Sequence, residues 1–119
     1  MHELGLLRGV VGAVERAART AGARGVEAVG LRVGTRSGAV PDALEGAWPI
    51  ATYGTIVDGA RLEVDVVVAA VWCPACGKDR PIDEFYALTC PVCGTPAATL
   101  VRGREFEVTY ADLDIPSDT

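Results

Sequence analysis

Apolar and polar positions change period several times along the chain. From Leu4 to about Ala21, the residues Leu4, Leu7, Val11, Val14 and Ala18 recur at helical spacing, while Arg8, Glu15, Arg16 and Arg19 fall largely on other faces. This predicts an amphipathic helix that ends near Gly22. Gly5, Gly9 and Gly12 each cost such a helix up to about 1 kcal/mol relative to Ala, so its stability must come from packing its apolar stripe on a sheet. Three segments supply that sheet by alternating with period two: Val29, Leu31, Val33; then Leu62, Val64, Val66, Val68; and Phe106, Val108, Tyr110. Each is expected to have one wet face and one dry. Between the first two strands, Pro41-Asp42-Ala43-Leu44 reads as a helix start, with Pro tolerated in the first turn and an acidic residue at the positive end of the dipole. The second helix should run to about Pro49.

The segment from Trp72 to Arg102 has a different texture. It holds all four cysteines and four of the seven prolines. A strand precedes it and another follows. The pattern therefore predicts an α+β fold: a three-stranded sheet covered on one face by two helices, with a four-cysteine, zinc-ribbon-like insertion between the second and third strands, projecting from one sheet edge. The expected units are residues 1–71 plus 103–119, and residues 72–102. Asp112 to Thr119 are acidic, contain Pro116 and should fray.

With 119 residues the chain has room for one modest core and a small metal-stapled appendage. Half the residues are hydrophobic and about a quarter charged, the balance of a folded globule. Sixteen acidic against eleven basic residues give a formal charge of -5. No Lys/Arg cluster lays a stripe along a phosphate backbone, which argues against nucleic acid as a partner. No apolar run approaches the roughly 18–20 residues of a membrane span, and the N-terminus does not read as a secretory leader. These features point to the cytoplasm, where cysteines stay reduced.

The two similar turns Cys73-Pro-Ala-Cys-Gly77 and Cys90-Pro-Val-Cys-Gly94 are separated by thirteen residues. That spacing lets a tight loop bring four thiolates to the corners of a tetrahedron around one ion. The glycine after each pair suits the left-handed turn that frees backbone N–H groups to point at the sulfurs. Two disulfides are disfavoured by the compartment, and a redox pair by the duplication of the turn. Iron remains a rival to zinc, since rubredoxin has similar turns and sulfur ligands alone do not separate the two. With all four positions filled by thiolate, no open site for water is left, so the metal should fold the insertion and catalyse nothing.

The only histidine is His2, followed by Glu3. A terminal histidine is by default a solvated residue, and Glu3 by default favours the helix dipole. Their placement allows more. The α-amine of Met1, the backbone nitrogen of His2 and its imidazole lie one chelate ring apart. Adding the backbone nitrogen of Glu3 completes the square of nitrogens favoured by nickel(II) or copper(II). The first four N–H groups of a helix have no intrahelical partner, so these nitrogens are available. The Glu3 carboxylate can serve the metal or the imidazole. Affinity for nickel should fall between pH ~8 and ~6 as amine and imidazole compete for protons.

Met-His-Glu-Leu at the start, Leu31-Arg-Val-Gly-Thr-Arg-Ser-Gly-Ala-Val-Pro-Asp-Ala-Leu44, Gly54-Thr-Ile-Val-Asp-Gly-Ala-Arg-Leu62 and the paired cysteine turns stand in one order over almost the whole chain. In these motifs the sequence resembles the HypA/HybF family of hydrogenase nickel-maturation factors. The resemblance implies a metallochaperone and not an enzyme. Its transferable Ni(II) would sit on Met1, His2 and Glu3, and its structural Zn(II) on Cys73, Cys76, Cys90 and Cys93. It also implies a hydrogenase-maturation GTPase and the hydrogenase large subunit as partners, with urease served in some organisms. The chain departs from the family at Gly46-Ala-Trp-Pro-Ile, where Pro49 should shorten the second helix. The competing readings are a zinc-ribbon module that docks on protein or nucleic acid without transferable metal, and a hydrolase or redox enzyme. The second lacks a second histidine, a Gly-x-Ser-x-Gly turn or a phosphate loop. Ser37-Gly38 reads as a turn.

Overall fold

The computed structural model describes residues 2–83, 88–96 and 99–117. Along the chain the elements are α1 (His2–Ala21), β1 (Gly25–Gly34), α2 (Pro41–Thr52), β2 (Arg61–Val67), β3 (Ala70–Cys73), β4 (Lys78–Pro81), β5 (Leu100–Arg102) and β6 (Phe106–Asp114). β1 is the centre of a three-stranded sheet ordered β2-β1-β6, parallel to β2 and antiparallel to β6. The parallel pair needs a crossover, and α2 provides it.

α1 buries Leu7, Val10, Val11, Val14 and Ala18. It ends where the pattern predicts: the Gly22 N–H donates to the Arg19 carbonyl at 3.2 Å and the Ala23 N–H to the Ala18 carbonyl at 2.9 Å, the bond pair of a Schellman close. Its stripe packs on Val29, Leu31 and Val33 of β1 and on Leu44, Trp48 and Ala51 of α2, forming the main core. The expected wet face of the central strand is only partly wet. Ala28 and Gly30 are buried as well, because the Tyr110 ring of β6 crosses over Gly30.

Pro49 does not end the second helix. α2 runs through it to Thr52, although Pro49 has no N–H to offer the Glu45 carbonyl. Tertiary anchoring outweighs that loss. The Trp48 indole N–H donates to the Ala60 carbonyl at 2.7 Å in a buried bond, and the Thr52 hydroxyl donates to the Trp48 carbonyl at 3.0 Å. Leu44, Trp48 and Ala51 reach the core only if the helix continues. Nor do Asp112–Asp114 fray. They extend β6, because β1 begins at Gly25, earlier than its alternation reveals, and gives them partners. Leu113 packs on the core, and Arg24 binds Asp114 at 2.9 Å.

The cysteine-bearing segment forms a second sheet, ordered β4-β3-β5, over a small cluster of Ala69, Val71 and Ile82 with Leu88 and Leu100. It leaves the main sheet after Val67, paired with Gly34, and rejoins it at Phe106, paired with Val33. Those are the two outer strands at the same end of β1. The segment therefore projects from the end of the sheet, tied to both edges and not to one, and the chain is elongated, 61 × 32 × 16 Å.

Candidate metal centres

Cys73 closes β3 and Cys76 lies in the turn before β4, while Cys90 and Cys93 occupy the second turn. All four Sγ atoms lie within 4.8 Å of one another. Cys73 and Cys93 are 3.5 Å apart and Cys76 and Cys90 are 4.0 Å apart. A tetrahedron with metal–sulfur bonds of about 2.3 Å has edges of about 3.8 Å, so the donor set fits one zinc-sized ion. All four cysteines are free. Gly77 at φ +69° and Gly94 at φ +76° take the left-handed conformation that closes each turn. Each also donates its N–H to the carbonyl of the first cysteine of its pair, at 2.8 and 3.0 Å. The Cys76 N–H points at Cys73 Sγ, 3.4 Å away.

The thiols differ in acidity. At Cys73 the Cys76 N–H favours the thiolate, but burial and the three neighbouring thiols outweigh it and push the group up to about 11. Cys93 is lowered to about 6 by the Thr95 hydroxyl and N–H, and Cys90 is lowered by the N–H groups of Cys93 and Val92. The fully buried Cys73 resists ionisation, while its more exposed partner gives up its proton readily.

At the other candidate site, Met1 lies outside the described residues. His2 opens α1 with its side chain 58% exposed. Glu3 is buried: its Oε2 lies 3.7 Å from His2 Nδ1 and accepts the Val40 N–H at 3.3 Å. Its own backbone N–H, then the Val40 N–H and the adjacent His2, hold its carboxyl below the usual carboxylate range against the cost of burial. The loop between β1 and α2 meets the same corner, with Gly38 turned toward His2 Nε2. The expected Ser37-Gly38 turn is present, closed by the Ala39 N–H donating to the Ser37 hydroxyl oxygen at 3.1 Å with Gly38 at φ +88°. His2 and Glu3 stand together, and neither belongs to the four-cysteine group. The sequence reading gave no role to Arg80, whose Nε is buried with no hydrogen-bond partner among the described residues and whose guanidinium is raised above its ordinary value by Cys76 first, then by Cys90, against the cost of burial. Its only sequence mark is a cation four positions after Cys76.

Among the described residues no helix is long and apolar enough to cross a membrane. The family described as "Hydrogenase/urease nickel incorporation, metallochaperone, hypA" matches residues 1–113. The chain is 39% identical over 119 residues to a hydrogenase maturation factor HypA of Roseiflexus sp., covering 100% of this chain and 95% of that one. It is 35% identical over 114 residues to the HypA of Methylocella silvestris, covering 96% and 100%. Its fold matches the solution structure of the Ni metallochaperone HypA from Helicobacter pylori with a TM-score of 0.64, at 16% identity over 96% of this chain and 98% of that one. A second solution structure of a HypA protein matches with a TM-score of 0.66, at 18% identity over 95% and 96%. Matched from the first residue to the last strand, the chain belongs to the HypA family.

Proposed function

We propose that the protein is a nickel metallochaperone and not an enzyme: it binds Ni(II) at its N-terminus and delivers it during maturation of [NiFe]-hydrogenase, with urease as a further acceptor. Its nickel ligands are the Met1 amine, the backbone nitrogen and imidazole of His2, and Glu3. Cys73, Cys76, Cys90 and Cys93 hold a structural Zn(II). The units are residues 1–71 with 103–119 for nickel and 72–102 for zinc. The expected partners are a hydrogenase-maturation GTPase and the hydrogenase large subunit, in the cytoplasm.

The observation that carries this reading is the Glu3 carboxylate, docked on the Val40 N–H and facing the His2 imidazole. The ring nitrogen it faces, Nδ1, is the one that closes a chelate ring with the His2 backbone nitrogen, so the carboxylate stands where a metal held there would meet it as a further ligand. The first turn of α1 supplies backbone nitrogens that no helical bond uses, and exposure of His2 suits a cargo that must be handed on. The cysteine centre has the opposite character, with Cys73 and Cys90 buried. When bound there, zinc supplies a closed cross-link between the two turns and no reactive position.

The test is a nickel titration of zinc-loaded protein and of a variant with one extra residue ahead of Met1, which displaces the free amine and leaves every side chain in place. Loss of one nickel site per chain with zinc retained is the expected result. Unchanged nickel binding removes the amine from the ligand set and the N-terminal site with it.

A further inference from the structure

We propose that the outer edge of β6, together with the flank of α1 that faces it, accepts a further strand: an extended segment of a protein partner in which apolar and cationic side chains alternate. Neither metal centre supplies a residue to this surface.

Among the described residues β6 is an outer strand, paired with β1 on one side only. The N–H and C=O groups along such an edge are a template for another strand. Phe106 and Val108 lie opposite the buried Val33 and Leu31, on the sheet face that the helices cover. Val108 is nevertheless 38% exposed. A cleft of about 360 Å³ is lined by these two residues and, on α1, by Leu6, Gly9, Val10 and Ala13. That flank of the helix is uncharged, and a Cβ at Gly9 would meet nothing within 4 Å. A fourth strand beside β6 would set alternate side chains into this cleft, against Leu6 and Val10, and would cover Val108.

The intervening side chains of that strand would lie on the open face of the sheet, and charge decides what they are. From Glu105 to Ser117 the chain carries Glu105, Glu107, Asp112 and Asp114 and no cation. Arg32 and Arg24, which meet Glu107 and Asp114, both come from the β1 side. Beyond β1, β2 adds Glu63 and Asp65 to the same face against Arg61. A second copy of this chain would bring the same acids to the same edge, and like charges facing each other across a strand pair are destabilising. A segment with cations at alternate positions would instead face Glu107 and Asp112 with opposite charge.

The test is a titration of the zinc-loaded, nickel-free protein with a fluorescent octapeptide of alternating valine and lysine, followed by anisotropy and amide NMR. The expected result is binding that weakens as salt is raised, with shifts confined to residues 6–13 and 106–111. Gly9→Arg and Ala13→Arg each fill the cleft with a cation from an exposed helical position. Each should weaken binding by roughly 10-fold or more, while thermal unfolding confirms that the fold is kept. Glu107→Gln combined with Asp112→Asn should weaken it by a similar factor and flatten its salt dependence. A peptide of the same composition with valines and lysines in two blocks, and one alternating valine and glutamate, should both fail to compete. Equal binding of either control, shifts elsewhere on the protein, or full affinity in both arginine variants overturns the proposal, as does no binding at all. A dimer in sedimentation, with the β6 amides shifting as protein concentration rises and no peptide present, would assign the edge to a second copy and overturn it too.

Discussion

The carbonyl of Gly103 lies against the Cα of Gly34 so closely that a side chain at position 34 would collide with it and with the Glu105 carboxylate. Around this contact, the three residues that leave β1 pin both connections to the cysteine unit. The Gly34 N–H donates to the Glu105 carbonyl at 2.8 Å, the Thr35 N–H to the Val67 carbonyl at 2.9 Å and the Arg36 N–H to the Gly103 carbonyl at 2.7 Å. The Thr35 hydroxyl accepts the Ala69 N–H at 2.9 Å. Gly34→Ala should therefore destabilise the protein by about 1–3 kcal/mol, as overpacking a tight site does. Thermal unfolding measures the loss, and hydrogen exchange at the Arg36 and Ala69 amides should quicken with it. Gly25→Ala, where the added Cβ comes no closer than 3.9 Å to Asp114 Cβ, should stay near wild type.

Tyr110 spans the open face of the sheet, its ring over Gly30 and its hydroxyl donating to the Glu63 carboxylate. That bond, with burial added, raises the Tyr110 hydroxyl above its ordinary value. A group raised in the folded state contributes stability below its unfolded value, ~10 for tyrosine, and loses it as pH rises through the folded value. Tyr110→Phe keeps the ring and deletes the bond. Urea unfolding should find it less stable than wild type at pH 8, and the gap should close above pH ~10 as the wild-type phenolate comes to face a carboxylate. A gap independent of pH would mean that the hydroxyl does not act through Glu63.

What was legible in the sequence is what local chemistry decides. The stripe from Leu7 to Ala18, its close at Gly22, the start at Pro41 and the two cysteine turns each rest on residues a few positions apart, and each stands where its pattern predicts. The misreadings share the opposite cause. Pro49 reads as a stop until the Ala60 carbonyl, brought in from beyond the helix, takes the Trp48 indole N–H. Asp112–Asp114 read as a loose acidic end until Gly25 and Val26 are seen opposite them. Arg80 carries no pattern at all, because its surroundings are set by β-strand register, opposite Val71, and not by neighbours along the chain.

The two hydrophobic clusters differ greatly in size, and this sets the outcome of metal removal. The main core joins both helices to β1, whereas among the described residues the second hydrophobic cluster consists of Ala69, Val71 and Ile82, with Leu88 and Leu100 packed against them. A cluster that small does not offset the entropy of ordering its strands without a staple. Stripping zinc with a strong chelator should unfold residues 72–102 and leave α1, α2 and the β2-β1-β6 sheet intact. In amide NMR spectra the signals of Trp72, Asp79 and Val101 should collapse while those of Val14, Leu31 and Leu44 persist. Loss of both sets together would show the units to be one cooperative body.

Glu3 joins the start of α1 to the start of α2 by accepting the Val40 N–H, and its carboxyl is depressed by its own N–H, the Val40 N–H and His2. A group depressed in the folded state contributes stability above its unfolded value, ~4.3 for glutamate, and loses it as pH falls through the folded value. Glu3→Gln keeps the size and one acceptor oxygen but not the charge. It should unfold at a lower temperature than wild type at pH 7, and the two should converge once the solution is acidic enough to protonate the wild-type carboxyl. Glu3→Ala goes further, leaving the Val40 N–H without its side-chain acceptor, and should be the least stable of the three at pH 7. Because the same loop presents Gly38 to His2, both variants should also broaden the His2 ring signals in NMR spectra recorded without nickel. A His2 ring that stays sharp in Glu3→Ala would show that the carboxylate anchors the loop without ordering the imidazole.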